Sequence, residues 1–163
     1  MKKYYKAIQS PIGTIYAIAN ATHLLALLIK STKEEMNLQF DNPLQEDNTI
    51  LVQTQHQLHE YFEGKRTTFD IPLLPQGTPF QKAAWDALIK IPYGNTISYK
   101  TQALSIGKPK AIRAIGGANG ANPIPIIIPC HRVIGTGGKL TGYASGLEIK
   151  KYLLDLENQT IQR

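Results

Sequence analysis

Asn122-Pro123-Ile124-Pro125-Ile126-Ile127-Ile128-Pro129-Cys130-His131-Arg132, followed by Val133, is the stretch from which the rest of the 163-residue chain is read. Three prolines stiffen the backbone by fixing φ, and the isoleucines predict a short extended run buried in a core. Cys130 is the one cysteine of the chain and stands where that run ends, beside an imidazole and a guanidinium. A free thiol is only slightly ionised at neutral pH; positive charge from His131 and Arg132 worth about 2.7 kcal/mol would make it mostly thiolate. Two readings of Cys130 stand open at this point. It is a nucleophile held on a rigid base, or it is one of the many buried, inert cysteines of protein cores.

Composition narrows the setting. Hydrophobic residues make up 42% and charged residues 18%, a balance that builds a core and excludes a disordered chain. No stretch approaches the roughly eighteen apolar residues of a membrane span, and Met1-Lys2-Lys3-Tyr4-Tyr5-Lys6 is no signal-peptide core. One cysteine forms no internal disulfide, which fits a reducing, cytoplasmic setting; without cysteine pairs, no metal or other cofactor is expected. Charge is unevenly placed. Residues 1–76 carry seven Lys/Arg against eight Asp/Glu, whereas residues 77–163, Arg163 included, carry eleven against four. Such a basic half suits a phosphate backbone, whose counterions are released on binding, and suits equally a well-solvated basic surface.

The remaining patterns predict an α+β chain of two domains, 1–76 and 77–163. In the first, residues 3–9, 12–19 and 24–30 carry strand patterns, separated by turn signals at Ser10-Pro11-Ile12-Gly13 and Asn20-Ala21-Thr22-His23. One helix is predicted over 48–63, stopping before Gly64, with Leu51, Leu58, Tyr61 and Phe62 on its apolar side. His56, His59, Glu60 and Glu63 read as its solvated face rather than as metal ligands. Residues 68–76, with Pro72 and Pro75, read as a strand tail passing into a linker.

The second domain opens with Thr78 as a cap, Pro79 at the first helical position and Gln81 closing a capping box. Phe80, Ala83, Ala84, Ala87, Leu88 and Ile91 keep one apolar face, and Trp85, off that stripe, is expected to pack against the next helix. Residues 98–104 and 109–118, joined by Ser105-Ile106-Gly107, have helix-turn-helix spacing, which two helices packed in any core share. Ile112, Ile115 and Gly116 are expected to face inward. Lys110, Arg113, Ala114 and Gly117 lie outward, where cations meet phosphate and small residues let backbone approach a groove. A final helix, capped by Ser145 and Glu148, carries Ile149, Tyr152, Leu153 and Leu156 on one face, with Glu157 at its edge. Gly135-Thr136-Gly137-Gly138-Lys139 reads as a flexible turn, because Val133 and Leu140 break the phosphate-loop pattern.

Pro129-Cys130-His131-Arg132-Val133 resembles the active-site signature of the O6-alkylguanine-DNA alkyltransferases. Pro92-Tyr93-Gly94, Ile97-Ser98-Tyr99, Arg113-Ala114-Ile115-Gly116-Gly117-Ala118 and Asn122-Pro123 resemble that family's pattern in order and spacing, as do Gly142-Tyr143-Ala144-Ser145-Gly146-Leu147 and residues 150–157. The resemblance is strong over residues 77–157 and holds in outline before them. It implies a small ribonuclease H-like N-terminal domain and a mostly helical, winged-helix-like C-terminal domain. It also implies DNA repair by direct transfer of an alkyl group, typically methyl, from O6 of guanine, and by extension O4 of thymine, to Cys130. That cysteine keeps the group, so each molecule of such a methyltransferase acts once.

By the same resemblance, His131 would take the thiol proton through a bridging water, Glu157 would orient the imidazole, and Asn122 would serve as the hinge before the cysteine loop. The base would be extruded from double-stranded DNA, with Arg113 filling the vacated stack and Tyr99 pressing the nucleotide outward and hydrogen-bonding the base. Ala114 and Lys110 would join the DNA-facing side. Val133, Tyr143, Ala144 and Lys150 would line the guanine pocket, Ala144 standing where the family often has serine. A monomer without membrane contact is expected. Two alternatives remain. An alkyltransferase-like protein binds alkylguanine without repairing it, but replaces the cysteine that is present here; a sequence-specific regulator would use the same helix-turn-helix with no regard to the lesion.

Overall fold

Three apolar runs fold into an antiparallel meander of β1 (Tyr4–Ser10), β2 (Gly13–Ala19) and β3 (Leu24–Ile29) because polar side chains build its turns. Ser10 Oγ accepts from Ile12 N at 3.2 Å and donates to Gly13 O at 2.6 Å. Asn20 Oδ1 accepts from Thr22 N at 2.9 Å and His23 N at 2.7 Å, which makes His23 a turn residue. The coordinates are a computed structural model describing residues 1–162; Arg163, counted above among the basic residues, lies outside the described residues. The chain forms two compact units, Met1–Pro75 and Gln76–Arg163.

In the first unit, β4 (Leu44–Gln45) joins parallel to β1, giving the order β3-β2-β1-β4. Two helices accompany this sheet, where the sequence predicted one. The unforeseen α1 (Lys33–Phe40) is capped by Thr32 and buries only Met36, so no apolar period announces it. In α2 (Thr49–Phe62), Asn48 caps Leu51 N at 2.9 Å, and Leu51, Thr54, Leu58 and Tyr61 are buried. His56 faces Glu60 at 3.5 Å on the solvated side, and among the described residues no cluster of metal-ligating side chains occurs.

The second unit starts with α3 (Pro79–Ile89) and its capping box, in which Thr78 Oγ1 accepts from Gln81 N at 3.1 Å and Gln81 Oε1 from Thr78 N at 2.9 Å. Buried Ala84, Ala103 and Ala118 let α3, α4 (Tyr99–Ser105) and α5 (Ile112–Gly120) approach closely around Ile115. Trp85 is buried among them and donates from Nε1 to Ala118 O at 2.8 Å. Helix α5 begins later than expected, leaving Lys110 in the turn before it, and Ile112 is 43% exposed rather than inward.

A short parallel pair, β5 (Ile97–Ser98) with β6 (Val133–Ile134), was not foreseen, since two-residue strands carry no period. It matters for the site. Tyr99 immediately follows one strand, and Cys130 to Arg132 immediately precede the other. The chain ends in α6 (Leu147–Ile161), whose cap position is Gly146, with no side-chain cap from Ser145. Among the described residues no helix is long and apolar enough to cross a membrane.

Candidate active site

The isoleucine run before Cys130 is buried as expected but is not extended. Ile128 N donates back to Ile124 O at 2.9 Å, and Ile126 takes φ of 75°, a strained conformation for a β-branched residue. Asn122 staples this loop: its Nδ2 donates to Ile128 O at 2.8 Å and its Oδ1 accepts from Ile124 N at 3.0 Å. Three residues then form a single 3-10 turn, Cys130–Arg132. Successive side chains in such a turn point about 120° apart, so Cys130 takes one direction while His131 and Arg132 turn elsewhere.

Cys130 opens into a cavity of about 460 Å³. Tyr99, Tyr143 and Ala144 line it as well, and its other walls are Gly116, Asn119 and Gly120 of α5 and residues 141–142. Helix α5 and the thiol therefore share one space. Tyr99 donates from its hydroxyl to Thr141 O at 2.9 Å across it. Arg113, Ala114 and Lys110 are exposed.

His131 turns away into the core, where its Nε2 meets Glu157 Oε2 at 2.6 Å; neither side chain is more than 1% exposed. Arg132 also goes to Glu157, with Nε to Oε1 at 2.8 Å and Nη2 to Oε2 at 3.0 Å, while Nη1 donates to Ile91 O at 2.8 Å. Gly94 N, presented by a left-handed turn residue, donates to Oε1 at 3.1 Å. The guanidinium therefore serves the carboxylate rather than the thiol, contrary to the expectation from adjacency.

Lys150 and Val133 are placed behind the cavity wall rather than on it. Lys150 Nζ donates to Val133 O at 2.6 Å, Thr141 O at 2.9 Å and Gly142 O at 3.3 Å, tying down the loop that carries Tyr143. It also lies 5.8 Å from the centre of the Tyr99 ring.

Residues 79–159 match the family described as 6-O-methylguanine DNA methyltransferase, DNA binding domain, and residues 3–75 match its ribonuclease-like domain. The methylated-DNA--protein-cysteine methyltransferase of Methanosarcina barkeri is 50% identical over 159 residues, 98% of this chain and 99% of that one. The constitutive methylated-DNA--protein-cysteine methyltransferase of Bacillus subtilis is 43% identical over 157 residues, 94% of each chain. The chain belongs to the 6-O-methylguanine DNA methyltransferase family. Its fold is that of the Mycobacterium tuberculosis O6-methylguanine methyltransferase crystal structure, with a TM-score of 0.86 at 43% identity over 97% of this chain and 94% of that one. The Mycobacterium tuberculosis OGT structure in complex with DNA is equally similar, at a TM-score of 0.86 and 43% identity over 96% and 94% of the two chains.

In this methyltransferase-family site, burial and hydrogen bonding divide the charges. Burial pushes Glu157 up, but the hydrogen bonds and charges of His131 and Arg132 outweigh it and hold the carboxyl at about 2. An ionised carboxylate only accepts, so Nε2 of His131 carries the hydrogen and Nδ1 keeps its lone pair. Burial holds the imidazole below its ordinary range against the pull of Glu157, which makes it a neutral base at pH 7. Nδ1 has no hydrogen-bond partner among the described residues.

Burial pushes the Cys130 thiol up, opposed by the Asn122 amide, the Lys150 charge and the Tyr143 hydroxyl. The positive charge that favours the thiolate is thus Lys150, two helical turns before Glu157, and not the neighbouring pair. Tyr143 is held well above the ordinary phenol range, by burial first and the thiolate second, so it stays a donor. Its hydroxyl feels the charge of Cys130 without making a hydrogen bond of good geometry to it.

The sequence held a signal for one of the two cations whose partners differ from the expectation. Lys150 occupies a core position of α6 beside Ile149 and Leu153, where a cation needs partners. Arg132 had none, because its direction depends on the 3-10 turn.

Proposed function

We propose that this chain repairs double-stranded DNA by moving one alkyl group from O6 of guanine to Cys130 Sγ, and that it does so once per molecule. The observation that carries this reading is the cavity in which the Cys130 thiol faces the second helix of a helix-turn-helix. A base swung out of the duplex beside α5 reaches the sulfur there. Extrusion costs a few kcal/mol, less where the lesion has weakened pairing. Arg113 fills the vacated stack, and Tyr99 presses the nucleotide outward. The Tyr99 hydroxyl exchanges Thr141 O for the base, and Lys110 and Ala114 rest against the backbone and groove.

The transfer is a displacement at the alkyl carbon. The thiol proton leaves through an intervening water toward Nδ1 of His131, whose other nitrogen is held by Glu157. Sγ then bonds to carbon, the carbon–O6 bond breaks with its electron pair passing to the purine, and a proton restores the guanine N1–H. Asn122 keeps the cysteine loop in register, and Lys150 favours the thiolate while holding the loop of Tyr143 and Ala144. O4 of alkylthymine offers the same carbon–oxygen bond and is a second target of this chemistry. In this reading the protein is a cytoplasmic monomer; residues 77–163 are its DNA-binding, alkyl-acceptor domain and residues 1–76 an accompanying domain.

A duplex whose restriction site is blocked by O6-methylguanine tests the function. Cleavage should return in proportion to protein added, one site per molecule. Cleavage that continues to rise beyond that stoichiometry, or never returns, contradicts it.

A further inference from the structure

Polar side chains that this reaction leaves unused meet on the α5 wall of the Cys130 cavity. Asn119 is 8% exposed and lines the cavity between Gly116 and Gly120. Gln102 of α4, with no exposed surface, holds it by a reciprocal pair: Gln102 Nε2 donates to Asn119 Oδ1 at 2.9 Å, and Asn119 Nδ2 donates to Gln102 Oε1 at 2.8 Å. Gln102 Nε2 also donates to Ala84 O at 3.2 Å, which fixes which way round both amides stand. An amide offers two N–H donors and two acceptor sites; the pair uses one of each on Asn119 and leaves one of each.

The helix surface on either side of Asn119 is bare. A Cβ added at Gly116 or Gly120 would meet no atom within 4 Å. Tyr143 lines the same cavity, its buried hydroxyl coupled to the Cys130 thiol without a hydrogen bond of good geometry. Walls suited only to aliphatic groups would be apolar, because an apolar occupant leaves buried polar groups unpaired, and sites built to hydrogen-bond a substrate reject the analogue that cannot.

We propose that this cavity selects O6 adducts carrying a hydrogen-bonding atom at their far end, such as 2-hydroxyethyl, over apolar adducts of the same size. Asn119 is the specificity-determining residue and Gln102 the residue that positions it. The inference rests on alkyl transfer to Cys130 and adds a substrate class to it. The bonds made and broken are unchanged; the adduct's hydroxyl keeps its proton and exchanges water for the Asn119 edge.

Single-turnover transfer from duplexes carrying O6-methyl-, O6-(2-hydroxyethyl)- or O6-n-propylguanine tests this. Hydroxyethyl should exceed n-propyl by about fivefold, the worth of one neutral hydrogen bond. In the double variant Gln102→Leu/Asn119→Leu, which removes both amides so that neither is stranded, the ratio should fall to about one. A native ratio at or below one, with methyl transferred, overturns the selectivity alone, and it is decisive even if the double variant does not fold. A native preference that survives in the folded double variant overturns the assignment to Asn119. No transfer from any of the three duplexes overturns the repair reading beneath it.

Discussion

Arg132 and Glu157 form a two-pronged buried ion pair, Nε on Oε1 at 2.8 Å and Nη2 on Oε2 at 3.0 Å, and Oε2 also holds His131 Nε2 at 2.6 Å. The imidazole's tautomer is therefore set by a carboxylate that is itself set by a guanidinium. Replacing Arg132 by Met leaves that carboxylate buried without its guanidinium, which costs about 3–5 kcal/mol. Urea unfolding measures it. Arg132→Lys keeps the charge but not the planar fork and should fall between. A loss below about 1 kcal/mol for the Met variant would mean the pair holds nothing in place.

Acid should unfold this protein in two stages. His131 is held low in the folded state, so below its ordinary range the unfolded chain takes up a proton that the folded chain refuses, and stability falls with pH there. Glu157, held at about 2, adds stability that is complete above the ordinary carboxylate range and is lost as pH falls toward 2. Unfolding free energy measured across acid pH should decline in both windows, and Glu157→Gln should flatten the lower one. A profile unchanged by that substitution would remove Glu157 from the account.

Lys150 supplies the charge that opposes the burial of Cys130. Lys150→Met should push the thiol further up and shift the pH profile of alkyl transfer to the alkaline side. At neutral pH the rate should fall by about tenfold or more, one pH unit of thiolate population. Recovery of that rate at higher pH distinguishes an electrostatic role from simple collapse of the loop at residues 141–142.

Gly77 touches the Trp85 ring, and a Cβ there would collide with it. Gly77→Ala should cost about 1–3 kcal/mol, as overpacking a tight contact does. Thermal unfolding reads it; an unchanged midpoint would show that the start of α3 yields freely.

Arg113 is exposed on α5 and is not among the residues that line the Cys130 cavity. Arg113→Ala should slow transfer from duplex DNA more than transfer from the free alkylated base. It should also lower the salt dependence of DNA binding by about one counterion. Equal slowing of both substrates would place Arg113 in the chemistry instead of the extrusion.

Strong local signals carried most of the fold. The capping box at Thr78 and Gln81 and the turn residues Ser10 and Asn20 each specify geometry within a few residues, and α3 and the β1–β3 meander follow from them. Helix α1 was illegible because one buried methionine makes no period, and β5–β6 because two residues make no strand pattern. Within the site, Cys130, His131 and Glu157 could be singled out by residue type and resemblance. The direction of Arg132 could not, since it follows from a 3-10 turn hidden in a proline-rich loop. The Gln102–Asn119 pair was hidden for another reason: each amide reads alone as a polar helix residue, and only packing reveals that they face each other.

The measurement that tests the central claim most directly is the mass of the Cys130 peptide after incubation with duplex DNA containing O6-methylguanine. The account predicts one added methyl on Cys130, matched mole for mole by loss of the lesion, and none in Cys130→Ala. An unmodified Cys130 on protein shown to be bound to that DNA, or a methyl group found on another residue, would contradict it.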